Sequence, residues 1–214
     1  MAAGTDWLRV QRFDAGWRAL ELAVLLGRGA EVADALIERF IAPDPAPLDP
    51  NEDSVPKRIA AICTLASRPE PCFARFHALR PDLTGAVTAG TDALVAGAER
   101  YVKHDYAGAA RTWRQLLGGH MALALVLPEA MTDAFERDGA PDLAESVDQE
   151  VMKRSAEFNG ATLGHVRAAR RAQALGDLAR ARQLAAAVVA AWSHADDEPP
   201  ALAQMRRLAE QLRR

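Results

Sequence analysis

"YVKHDYAGAARTWRQLL", residues 101–117, decides how this chain reads. A short polar break, Lys103-His104-Asp105, gives way to an amphipathic run carrying small residues and a tryptophan. Working outwards, comparable breaks stand at Gly27-Arg28-Gly29, Arg68-Pro69-Glu70-Pro71, Asp138-Gly139-Ala140-Pro141 and Leu175-Gly176-Asp177. Each leads into another such run: "AEVADALIERF", "CFARFHAL", "DLAESVDQEVM" and "LARARQLAAAVVAAW". The five runs begin near residues 30, 71, 106, 142 and 178. Even spacing of this size, with one helix–turn–helix in each period, is the mark of an α-helical repeat array. The first interval is longer because "APDPAPLDPNEDSVP" is inserted there, and its prolines and acids predict an exposed loop.

Composition agrees. The 214 residues are 50% hydrophobic and 26% charged, enough apolar material for a packed core and too much for disorder. Alanine and arginine crowd the helical segments, and nowhere does strict apolar/polar alternation persist, so the class is all-α. The expected layout is one domain over 1–214: an N-terminal hairpin over 1–42, the Pro/acid-rich loop over 43–54, helical hairpins over 55–195 and a capping helix over 196–214. In that last helix Asp196 or Asp197 can cap, Pro199 or Pro200 can occupy the first turn, and Arg213 and Arg214 suit the C-terminal end. Trp7, Leu8, Val10, Phe13, Trp17 and Leu20 predict an apolar helix or bent pair that covers the other edge.

The details resemble the tetratricopeptide repeat. Gly97 stands at the small packing position of that family's first helix, with Tyr101 four positions on. Asp105-Tyr106 matches the turn pair, Ala109 the small residue of the second helix and Trp113 its large aromatic. Ala168-Ala169, Gly176-Asp177-Leu178, Ala181 and Leu184 repeat the outline, whereas His104 replaces the usual turn glycine and Ala185 an aromatic. The resemblance covers residues 84–195 and implies a superhelix of about five hairpins whose first helices line a concave surface. A second resemblance is to helical-repeat regions attached to bacterial serine/threonine kinases and multidomain regulators. The unadorned start and abrupt end fit an excised domain of that kind.

The chemistry of catalysis is hard to find. GxxxxGK[ST], GxGxxG, GxSxG and HExxH are all absent, as are the kinase glycine loop, HRD and DFG. His77, His104, His120, His165 and His194 form no helical ligand pattern and read as turn, surface or packed residues. Asp44, Asp49, Glu52 and Asp53 lack the order of a calcium loop. Cys63 and Cys72 lack CxxC spacing and read as reduced, half-buried thiols, in keeping with a cytoplasmic protein. A net charge of −3 argues against nucleic acid, and no apolar stretch approaches the length of a membrane span.

The expectation is therefore a non-enzymatic module with no cofactor or metal that binds a protein or peptide on its concave face. The resemblance puts Arg170 at a groove-facing position, Gln173 one turn on, and His165 on the same first helix. Arg167, Arg170 and Arg171 otherwise read as the solvated face of an arginine-rich helix, with Arg170 suited to bidentate bonding of an acidic group. Leu94, Ala98 and Tyr101 suggest an apolar groove wall, with core packing the alternative. The rivals are a self-associating structural module and an enzyme whose pocket joins His104 or His165 to a carboxylate.

Overall fold

The computed structural model describes residues 6–41, 55–83, 89–117, 126–156, 160–195 and 198–212. The acidic loop, His120, Asp196, Asp197, Arg213 and Arg214 lie outside them. Eleven α-helices and no strand occur among the described residues: α1 (Asp6–Leu25), α2 (Gly29–Leu36), α3 (Val55–Leu65), α4 (Pro69–Leu83), α5 (Ala89–Val102), α6 (Tyr106–Leu117), α7 (Pro128–Arg137), α8 (Pro141–Ala156), α9 (Leu163–Ala174), α10 (Leu178–Trp192) and α11 (Pro200–Gln211). A wider π turn, Ile37–Ile41, prolongs α2 and buries Phe40 and Ile41. No helix among the described residues is long and apolar enough to cross a membrane.

The helices pair in chain order, α1 with α2, α3 with α4, α5 with α6, α7 with α8 and α9 with α10, and α11 packs on α10. The second members start at Gly29, Pro69, Tyr106, Pro141 and Leu178, close to the positions read from the sequence. Four of the five turns close identically. Gly27, His104, Gly139 and Gly176 take left-handed backbone angles, φ from 61° to 78°. The next amide, of Arg28, Asp105, Ala140 or Asp177, then donates to the carbonyl five residues back, at 2.7 to 2.9 Å. This is the Schellman closure, which occupies carbonyls that the helix end leaves bare. Three of the turns use glycine because it alone enters that region without steric cost. Asp105 and Asp177 then cap the following helices, accepting from the amides of Gly108 at 2.9 Å and Arg180 at 3.1 Å.

The fifth turn, between α3 and α4, is made differently. Cys63 and Cys72 form a disulfide across it, with Cα atoms 5.3 Å apart. The expectation of two reduced thiols is thus wrong. Nine residues look distant along a strand of sequence, but the helical turn folds them face to face. The cytoplasmic reading loses the support those thiols gave it.

Side-chain packing makes two clusters. The larger holds Phe13, Phe40, Ile59, Phe76, Leu94, Trp113, Met131 and Phe135; the smaller holds Val166, Val188, Trp192, Leu202 and Met205. Gly97 is indispensable to the first, because a Cβ there would lie 2.1 Å from Trp113 Nε1. The indole fills the space beside the glycine, and its N–H donates to the Leu94 carbonyl at 3.1 Å. Helix α1 reaches further than the covering of one edge. Leu25 packs against the smaller cluster, and Pro200, the first residue of α11, stands 3.4 Å from where a Cβ on Gly27 would be. The first hairpin turn therefore meets the last helix.

Candidate functional site

Two arginines on α9, Arg167 and Arg171, join a charge network that spans four helices. Asp148, on α8, is fully buried. Its Oδ1 accepts from Arg167 Nε at 2.9 Å, and its Oδ2 accepts from Arg171 Nη2. Arg167 also donates to Glu129 at 3.2 Å, and Arg171 donates to Glu136 at 2.6 Å and to Glu145 at 3.0 Å. Arg180, from α10, joins on Glu145. Burial pushes the Asp148 carboxyl above its ordinary range, against the downward pull of the two guanidiniums. Burial also works against both arginine charges, yet the carboxylates around them hold each above its usual value. Buried charge persists only when paired in this way.

Beside this network lies a cleft of about 510 Å³ between α7 and α9, with Ala201 of α11 also in its lining. Glu129, Asp133 and Glu136 form the α7 wall; Arg167, Arg170, Arg171 and Ala174 form the α9 wall, over an apolar floor that includes Leu163 and Val166. Arg167 and Arg171 keep only 16% and 12% of their side chains exposed. The solvated-face reading fails for those two, because their carboxylate partners come from helices remote in sequence. Arg170 is exposed, and its bond goes to the neutral amide oxygen of Gln204.

The residues expected at a groove disperse. Leu94 and Ala98 are fully buried and take the core alternative. Tyr101 is half-buried between Tyr106 and Trp113. Its hydroxyl donates to Asp133 Oδ2 at 3.1 Å, so it supports the cleft from behind. Burial, then the Asp133 charge, pushes its phenol far above the ordinary value. His165 turns back at the start of α9, where its Nδ1 accepts from the Thr162 amide at 3.2 Å, the return half of a capping box. Burial lowers its pKa, keeping the imidazole in the neutral form that can accept. Gln173 is exposed one turn beyond Arg170. Of the six, Arg170 lines the cleft directly and Tyr101 reaches it through Asp133.

Neither His104 nor His165 lines that cleft. His104 shares a hydrogen bond with the Tyr106 hydroxyl at 2.8 Å in its own turn. His77 bonds Glu99 of α5 at the surface, a pair that helical spacing has no means of revealing. Among the described residues no cluster of His, Cys, Asp or Glu is arranged to hold a metal ion. No protein family, curated protein or solved structure matches the chain.

Proposed function

We propose that the chain is a non-enzymatic interaction module, a tetratricopeptide-like array that binds a protein or peptide in the cleft between α7 and α9. The observation that carries this reading is Arg170. It is the guanidinium in the cleft wall whose bond goes to a neutral amide, so a carboxylate from a partner gains a charge-assisted bond by displacing Gln204. The apolar floor beside it gives a neighbouring side chain somewhere to bury. The recurring left-handed turns support consecutive helical hairpins, and the tetratricopeptide likeness itself rests on the sequence resemblance. The sequence resemblance to regulator-attached repeat regions suggests signalling or regulation in a bacterial setting.

The test is a comparative pull-down followed by measured affinity for each captured protein. Arg170→Glu is expected to release the partner, and Arg182→Glu, exposed on α10 and outside the cleft lining, to retain it. Retention of every partner by Arg170→Glu would remove the cleft from consideration. Self-association is the second reading, favoured by Leu175 and Leu178 at one turn, 80% and 51% exposed. Light scattering over a concentration series separates the two.

A further inference from the structure

A second cavity, adjoining the first at Glu129 and Leu163, has a different chemistry. Where α1 crosses the starts of α7 and α9, the two hydrophobic clusters fail to close over each other and leave a half-open space of about 290 Å³. Leu20, Leu65 and Leu127 face it from the larger cluster, Leu25 and Leu163 from the smaller. At liquid density such a space holds about ten water molecules, and water against these walls makes few hydrogen bonds. An apolar body of about that many heavy atoms would gain by replacing it.

The polar groups set the ligand's charge. Two carboxylates, Glu21 and Glu129, line the space, and no basic side chain is among the described residues that do. Both carboxylates have other contacts, Glu21 with the Trp17 indole N–H at 2.8 Å and with the Arg18 guanidinium at 3.5 Å, and Glu129 with Arg167. Each nevertheless keeps a large exposed fraction, 49% and 39%. Trp17, also in the wall, already receives a cation, with the Arg58 guanidinium 5.7 Å from its ring centroid. Anionic oxygen beside an aromatic face and an apolar cleft is the arrangement that receives an organic ammonium ion.

We propose that this seam binds a small amphipathic amine, its aryl or alkyl body between the clusters and its ammonium group at Glu21 and Glu129. The site shares Glu129 and Leu163 with the peptide cleft, whereas the residues varied in its test, Glu21, Val24 and Ala161, lie outside that cleft, so the two readings fail separately. Three probes of one shape test it: 4-phenylbutylamine, 4-phenylbutan-1-ol and 4-phenylbutyrate, titrated into the full chain by calorimetry and tryptophan fluorescence. The amine is expected to bind saturably with one site, about threefold to tenfold tighter than the alcohol, with the carboxylate weakest. Glu21→Gln should remove most of the amine's advantage while leaving the alcohol bound. Ala161→Phe fills the cavity and should abolish binding of all three; Val24→Phe, from the α1 wall, serves the same purpose if the first variant does not fold. Equal affinity for the three probes, no saturable binding of the amine, or binding that survives both filling variants would overturn the proposal.

Discussion

The α5–α6 hairpin and the α8–α9 junction hold successive helices together by opposite means. In the first, shape dominates: a glycine opens a slot, an indole fills it, and one neutral hydrogen bond fixes the ring. In the second, charge dominates: a buried carboxylate bridges two guanidiniums, with further carboxylates around them. The contrast shows that regular hairpin order in the backbone does not require a common glue. Shape complementarity is indifferent to pH and salt, whereas a buried charge network is strong only while complete.

Asp148→Asn attacks the charged side and carries the largest expected effect. It leaves two buried guanidiniums facing a neutral amide, and chemical denaturation should show a loss of about 3 kcal/mol. The disulfide comes next. Cleavage of the bond by reduction, or Cys63→Ser with Cys72→Ser, frees the α3–α4 turn in the unfolded chain and should cost about 2.5 kcal/mol in the same assay. Thiol labelling of the folded protein is expected to find neither cysteine reactive, since both sulfurs are bonded. Two free thiols would contradict the fold at that turn.

Smaller effects sharpen the comparison at the turns. An added Cβ at Gly139 meets nothing within 4 Å, so Gly139→Ala isolates backbone strain at φ 71° and should cost about 1 kcal/mol. His104 bears that strain already at φ 61°, so His104→Gly should stabilise by a few tenths to about 1 kcal/mol, less what the lost Tyr106 bond contributed. The smallest effect concerns pH. Because burial lowers the His165 pKa below its ordinary 6.5, the unfolded chain binds the proton first. The stability it confers is present above pH 6.5 and is lost as pH falls through the folded value. His165→Gln keeps an acceptor at the same capping position, so its melting curve should lack that step.

How much of this was legible in the sequence follows from the range of each interaction. Gly27, Gly139 and Gly176 announce their turns because backbone conformation is a local matter. Gly97 and Trp113 were each legible as packing residues through the resemblance, but their contact with each other, in which the indole fills the slot beside the glycine, was not. Arg167 and Arg171 were misread because Glu129, Glu136 and Asp148 reach them from other helices, and spacing on α9 carries no trace of those partners. The Cys63–Cys72 bond was missed because its spacing was compared with metal and redox motifs, when a helical turn was what joined them. The reach of α1 to α11 is tertiary, and no local signal encodes it.

The central claim is that the chain folds as consecutive helical hairpins, and a double-mutant cycle on α5 and α6 tests it most directly. Gly97→Ala alone should cost about 3 kcal/mol, because the new Cβ and the Trp113 indole cannot share the slot. In a Trp113→Ala background the same substitution should cost almost nothing, giving a coupling of more than about 2 kcal/mol. Additive costs would mean that the two residues do not meet, and the hairpin register, with the stacking built on it, would be wrong.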